Sequence, residues 1–472
     1  MKFPGFVGGS NETFATIGDC QRTINLYPTI VGAAGKSTVA LAGTPGLTSL
    51  FTVAEKASVR GMFLGDLQDT AFFYAAIDDR LYKVKLDGTS SLDIGGLSSD
   101  NKPIKWATGG SGRDTLVIAN GTAYSVKAGV LAAIVDLAGV TVTACASTNN
   151  FWLIGLANGQ WQISALNDVD SWDPLDFEVA DDSSQPVRGI QTSNGQVWLH
   201  GATRSNVWYY SGSSLFPFEQ MKSALIRYGL LAPDSTAIVD NAMVWLAAMP
   251  EGQAQVVAAR TYSPERISTP AIESAIAAIS TKADAVGYGI ESRGHSFYVL
   301  TFPAAGATFV YDFATKQWHE RLYWTGAAWQ AHLGKCHLAV GDVHLVGSRS
   351  AGIIYTLSDT VYTDAGAAIR RLRRAPHISN ENRRLRFASA ELDLEKGQAS
   401  AASNPLMYLR WSNDGGNTYG TALQSRIGES GEYGVRVRWS RLGAGRDRVY
   451  EVYSDAAIKH FWTDMYINLS AS

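Results

Sequence analysis

The chain has 472 residues, of which 46% are hydrophobic, 18% charged and 11% aromatic, with 46 glycines and 13 tryptophans. That length implies more than one domain and ample core, and the Gly-, Trp- and Tyr-rich composition points to all-β architecture. A formal net charge of −3 argues against a sequence-specific DNA reader, which carries a basic excess, while leaving room for DNA that passes through a channel without sticking.

Residues 1–55 read as an N-terminal extended, docking segment, with turns at 22–28 and at Thr44-Pro45-Gly46. A hydrophobic hairpin then returns seven times, with strands starting near Ala71, Thr115, Phe151, Val197, Val244, Ser296 and Val343. The average step of about 45 residues is the period of a β-propeller blade. Asn120-Gly121 and Asn158-Gly159 are hairpin turns, in which a type I′ geometry needs positive φ at both central residues. Looser turns fall at Asp78-Asp79, 203–206, 249–253, 304–307 and 347–352. One short helix is expected over 272–279 with Glu273 in its first turn, and 168–185 is an acidic insertion or connection. The segment 129–146 is the best membrane candidate, but its Val/Thr alternation reads as strand, so no membrane span is expected. Residues 56–365 are thus predicted to form a six- or seven-bladed β-propeller. From 366 to 472 the pattern changes to alternating strands with turn residues between them, predicted as an antiparallel β-sandwich platform domain.

Cys20, Cys145 and Cys336 are far apart and odd in number, as expected of reduced thiols in a protein assembled in a cytoplasm. The N-terminal residues Met1-Lys2-Phe3-Pro4-Gly5 lack a signal-peptide core. Ser412, Asp414 and Gly416 lie in Ser412-Asn413-Asp414-Gly415-Gly416-Asn417-Thr418-Tyr419, which resembles the Asp-box of sialidases. That motif is a structural turn device rather than a catalytic one: its carboxylate and hydroxyl accept backbone N–H bonds. His332, Cys336 and His337 have ligand-like spacing, but no second cluster completes a metal site. No phosphate loop or nucleophile elbow is present. Neither catalytic residues nor a cofactor or metal is expected.

Arginines crowd the C-terminal region. Arg436 with Arg438 and Arg446 with Arg448 alternate along expected strands, with Glu429, Glu432, Asp447, Glu451 and Asp455 nearby. Such mixed charge suits subunit contacts, and Arg438, Arg441, Arg446 and Arg448 are the candidate subunit interface. Most of these arginines are expected to pair with acids or neighbouring subunits.

Several stretches together resemble the tail hub, or tail-nozzle, proteins of short-tailed bacteriophages, also called packaged-DNA stabilisation proteins. They are Asn25-Leu26-Tyr27-Pro28 with Thr44-Pro45-Gly46-Leu47; Ser171-Trp172 with Leu175-Asp176-Phe177; and Val207-Trp208-Tyr209 leading to Phe216-Pro217-Phe218-Glu219. Further along come 295–303 with Val310-Tyr311-Asp312 and Trp318-His319-Glu320-Arg321, and 382–387 with Leu392-Asp393-Leu394. The last is Trp439-Ser440-Arg441-Leu442-Gly443 with Arg446-Asp447-Arg448-Val449. The resemblance implies a non-enzymatic structural protein of the virion tail. It implies a homo-hexameric ring below the portal and its head-to-tail adaptor, prolonging the DNA channel and retaining packaged DNA. Tail fibres or spikes, a tail plug or needle, and passing genomic DNA are its implied partners. The alternative is a β-propeller tail protein that binds or hydrolyses glycans, which would need paired carboxylates across a cleft or an aromatic-lined pocket.

Overall fold

The computed structural model describes every residue except 33–35, 66–70, 181–184, 250–251, 400–402 and 472. Seven antiparallel blades follow one another around a ring. The second strands of the blades are Phe72–Ile77, Asp114–Ala119, Phe151–Leu156, Gln196–His200, Ala242–Ala248, His295–Phe302 and Val343–Ser348. These are the seven hairpin strands legible in the sequence. They are apolar nearly throughout because each is covered on both faces, as in Ala242–Ala248, where all but the last residue are buried.

The innermost strands approach one another closely. A Cβ on Gly287, in the first strand of blade six, would lie 2.3 Å from the Ser235 carbonyl oxygen of blade five. Tryptophans tie blades across the gaps: Trp152 Nε1 donates to Ala107 O at 3.1 Å and Trp318 Nε1 to Ile267 O at 2.8 Å. Each buries a large ring while satisfying its one donor.

The expected N-terminal segment over 1–55 does not stand apart. Gly46–Thr52 is the fourth strand of blade seven, pairing with Ile353–Ser358 so that Gly46 lies opposite Ser358. Leu26–Ile30 and Val39–Gly43 join the sandwich sheet that also holds Phe461–Ala471, Leu385–Leu394 and Val437–Ser440. The second sandwich sheet contains Cys20–Ile24, Arg371–Ser379, Asp447–Ser454, Leu406–Ser412 and Leu423–Arg426, and continues directly into blade six. Phe6, Leu41, Phe387, Met407, Tyr450 and Trp462 lie in the core between the two sheets.

Some turns differ from expectation. Asn120 and Gly121 both have positive φ, at 49° and 78°. At the other Asn-Gly only Gly159 does, at 88°. Gly159 N bonds to Leu156 O, and Asn158 Oδ1 accepts from Gln160 N at 3.0 Å, so the side chain, not a second left-handed residue, closes this three-residue turn. The helix spans Pro270–Ala278, capped by Thr269. Residues 129–146 form a strand end, a short 3₁₀ turn and another strand, and among the described residues no helix is long and apolar enough to cross a membrane. The centre of the 249–253 turn and residues 181–184 of the acidic insertion lie outside the described residues.

Candidate functional site

The joint between propeller and sandwich gathers several buried charges. Cys20–Ile24 runs parallel to Gln317–Glu320 of blade six, with Ile24 opposite Glu320, and antiparallel to Arg371–Ser379, with Arg22 opposite Arg374. Arg22 grips both Glu320 oxygens, from Nε at 3.0 Å and Nη2 at 2.5 Å. Glu451, fully buried, accepts from Arg374 Nε at 3.1 Å and Arg410 Nε at 2.6 Å. Bidentate and shared pairs of this kind fix orientation as well as charge.

Two arginines on the strand Arg371–Ser379 use neutral partners instead. Arg373 is fully buried. It donates to Phe6 O at 2.6 Å, Gly9 O and Gly5 O at 2.9 Å, Thr23 Oγ1 at 2.8 Å and Gln21 Oε1 at 2.5 Å. Burial pulls its pKa down to about 9. Arg371 reaches Thr44 O at 3.3 Å, and burial lowers it to about 10. These side chains sew the N-terminal residues onto the sandwich. The sequence signal was the arginine-rich stretch 370–374; the N-terminal partners of Arg371 and Arg373 lie more than 300 residues away along the chain.

The predicted interface residues separate. Arg448 is 1% exposed, with Nε on Asn413 Oδ1 at 2.9 Å, Nη1 on Leu442 O at 2.6 Å and its guanidinium 4.0 Å from the Phe387 ring centroid. It is a core residue and is withdrawn from the candidate interface, because its strand turns it inward between the sheets. Arg438, Arg441 and Arg446 are exposed. Arg438 Nη2 reaches Ser389 Oγ at 3.3 Å, and Arg446 Nη1 reaches Asn382 O at 2.8 Å. Arg441 holds a left-handed φ of 61° with its N–H on Ala388 O. Other arginines do find acids: Arg370 pairs with Asp455, Arg426 with Glu432 and Arg436 with Glu391.

Ser412, Asp414 and Gly416 build a closed turn. Asp414 Oδ1 accepts from Asn417 N at 3.1 Å and Thr418 N at 2.9 Å, while Ser412 Oγ accepts from Gly416 N at 2.9 Å. Hydrogen bonds from Ser412, then Thr418, hold the Asp414 carboxyl down at about 2. Both oxygens are engaged by the turn itself. A Cβ on Gly416 would sit 3.0 Å from Cys20 Sγ, so the turn also packs on the N-terminal residues.

His332, Cys336 and His337 do not converge. Cys336 Sγ faces Val59 O, His337 Nε2 lies 3.0 Å from His344 Nδ1, and His332 Nδ1 accepts from Gly334 N. Among the described residues no group of three potential metal ligands is assembled. The axial cavity of the propeller has a volume of about 460 Å³. Its wall includes Arg60, Lys105, Trp106, Asp234, Lys335 and His337. Lys105 and Asp234 pair across it at 3.3 Å, and Lys335 Nζ is held by Asn101 O at 2.6 Å. Of the Trp208-Tyr209-Tyr210 run, Trp208 packs edge-on to Trp161 and the two tyrosines stand at the rim.

A seven-bladed propeller fused through a shared sheet to a two-sheet sandwich defines the class of protein. Sequence profiles agree with it: the bacteriophage P22 Gp10 β-propeller matches residues 20–362, and the bacteriophage P22 Gp10 β-sandwich matches residues 370–467. The chain belongs to this family of phage structural tail proteins. A search of curated proteins by sequence finds no match. Among solved structures, the chain is similar to the WD40 β-propeller domain of Doa1 at 9% identity and a TM-score of 0.40, covering 67% of this chain and 97% of that one. It is also similar to BamB from Moraxella catarrhalis at 11% identity and a TM-score of 0.40, covering 71% and 97%. The computationally designed Ika8 protein aligns at 13% identity and a TM-score of 0.38, covering 75% and 99%.

Proposed function

We propose that this chain is a non-enzymatic hub, or nozzle, subunit of a short-tailed phage virion. Copies of it form a ring, expected as a hexamer, below the portal and its adaptor. The ring extends the DNA channel, retains packaged DNA and carries fibres or spikes, with a plug or needle as a further partner. The observation that supports this reading best is the joint. A propeller and a sandwich share one continuous sheet, locked by Arg22–Glu320 and by the Arg374–Glu451–Arg410 network. Such a unit moves as one body and transmits load between whatever its two domains touch.

The DNA path in this reading lies between copies. The propeller's own axial cavity is walled by side chains and crossed by the Lys105–Asp234 pair. A passing polyanion must also slide. Each phosphate held by Lys or Arg adds affinity through counterion release, and the arginines that pair with acids inside the chain are not offered to it.

Electron microscopy of the purified chain, alone and with its adaptor, tests the reading directly. Closed rings with a central opening wide enough for duplex are expected, together with weak, sequence-independent DNA binding at physiological salt. A monomeric particle in both preparations would count against it, as would tight DNA binding that survives high salt.

A further inference from the structure

Two distant surfaces of the chain carry exposed apolar side chains on rigid turns, and their rims have opposite charge. The first is the outer edge of blades two and three. Val135 is 82% exposed and Leu175 81%. Neither sits on a loose loop. Asp136 Oδ2 accepts from Trp172 N at 2.9 Å, which fixes the turn bearing Val135 to the connection bearing Leu175. Trp172 is itself buried, with Nε1 on Val169 O at 2.7 Å. Asp173 Oδ1 accepts from Leu175 N at 2.9 Å, which sets the Leu175 side chain outward. Asp173, Asp176 and Glu178 rim this edge, and among the described residues none of the three has a cation within ion-pair reach. Burial, and then the neighbouring Asp173 charge, raise the Asp176 carboxyl. In ring order blade three lies opposite blades six and seven, which bear the sandwich.

The second surface is one strand end of the sandwich. Phe14 is 92% exposed and Ile17 77%. Their loop is closed by Thr13 N on Asp19 O and pinned by His377 Nε2 on Thr16 O at 2.9 Å. It abuts the Asp-box turn, where a Cβ on Gly415 would lie 3.8 Å from Ile17. On the other side of that turn the register places Arg386 opposite Ala444, between Arg441 and Arg446. Among the described residues, Arg386, Arg441 and Arg446 have no carboxylate within ion-pair reach.

We infer that the chain associates head to tail: the Val135–Leu175 edge of one copy seats on the Phe14–Ile17 end of the next, with Asp173 and Asp176 meeting Arg441 and Arg446. This rests on the ring reading above and specifies its interface. Two different faces make a heterologous contact, the kind that closes into a ring when the rotation permits. Burying the four apolar side chains drives association, and the charged rims select orientation, because a copy turned the wrong way sets like charges against each other.

Sedimentation velocity of the full chain at low and high salt tests the inference. The test uses two double variants, Asp173→Arg with Asp176→Arg, and Arg441→Asp with Arg446→Asp. The first variant has two basic faces and the second two acidic faces, so each alone should associate about tenfold or more weakly than wild type. An equimolar mixture should recover assembly, since each basic face again meets an acidic one. Loss of folding cannot produce that rescue. Wild type that stays monomeric at every concentration overturns the inference. Rings that neither variant weakens also overturn it, while leaving the ring reading intact. If the Arg441/Arg446 variant loses duplex-DNA binding with its assembly unchanged, the arginine end is a polyanion surface and the inference likewise falls.

Discussion

The side-chain amide of Asn25 pairs with the backbone of Leu322 as a neighbouring strand would: its Oδ1 accepts from Leu322 N at 2.9 Å and its Nδ2 donates to Leu322 O at 2.8 Å. The same Nδ2 also donates to Arg370 O at 2.8 Å, so one buried amide joins the end of blade six to the start of the sandwich. Asn25 holds a left-handed φ of 56°, a conformation that Asn tolerates better than most residues.

Replacing Asn25 separates these two roles. Asn25→Ala strands three buried backbone groups and adds backbone strain, and should cost about 3–4 kcal/mol. Asn25→Gly loses the same bonds without the strain and should be milder by about 1 kcal/mol. Urea unfolding of the two variants checks the order, and equal losses would remove the strain contribution.

Arg373 is the corresponding lock for the first residues of the chain. Arg373→Met keeps the buried volume but leaves the carbonyls of Gly5, Phe6 and Gly9 without their donor. The expected loss is about 2–4 kcal/mol, accompanied by faster amide exchange over residues 3–10. Unchanged exchange there would show that the apolar contacts of Phe3 and Phe6 hold the segment alone.

Acid should unfold the propeller through its buried histidines. Burial lowers His200 to about 4 and His319 and His337 to about 3. These histidines are neutral in the fold and charged in the unfolded chain below about pH 6.5, so the unfolded state binds more protons. Stability is therefore complete above pH 6.5 and falls as pH drops toward 3. Two pH units below 6.5 the three together withdraw about 8 kcal/mol, comparable to the whole stability of an ordinary domain. Tryptophan fluorescence against pH should show a cooperative transition between about pH 5 and 3.5; a flat signal down to pH 3 would contradict the buried neutral state.

Gly287 is fixed by the closeness of two blades. Gly287→Ala drives a methyl against the Ser235 carbonyl oxygen, which is backbone and cannot swing aside. A loss of about 1–3 kcal/mol is expected. Gly420, around which a Cβ meets nothing within 4 Å, provides the neutral control.

Asp414→Ala should loosen residues 412–420 and make that turn a site of proteolysis, leaving the propeller unfolding transition in place. Glycan-cleavage assays are expected to show no activity for either form. Hydrolysis by the wild type that Asp414→Ala leaves intact would support the glycan-acting alternative and place its chemistry elsewhere.

What was legible in the sequence follows the range of each interaction. The second strands of the blades are largely buried on both faces and are followed closely by their hairpin partners, so Phe151–Leu156 or Val343–Ser348 announces itself within a dozen residues. The Asp-box is equally local, its bonds spanning two to four residues. The inner strands were harder to see. Lys105–Gly109 and Gly189–Ser193 line a polar cavity and are only partly buried, so no clean period marks them. Gly46–Thr52 gives no hint of its blade because its partner strand is Ile353–Ser358. The arginines misled for the same reason. Asp447 and Glu451 stand beside Arg448 in sequence, yet Arg448 turns inward onto Asn413 and Leu442, and Glu451 serves Arg374 and Arg410.

The pairing of Gly46–Thr52 with Ile353–Ser358 also sets a timetable for the newborn chain. The strand that shuts the ring leaves the ribosome early and must wait, unpaired, until the last blade has been made. Blades one to six are meanwhile exposed at an open edge, the circumstance in which long-range β-proteins fold slowly and aggregate. A chain cut short before residue 353 has every blade but the last and no means of closing. It also lacks Arg373, which holds the first residues of the chain, and Arg370, whose carbonyl Asn25 grips. Closure and docking become possible only with the residues from 353 onward in hand, so an incomplete translation product cannot present the finished surfaces of the subunit to an assembling particle.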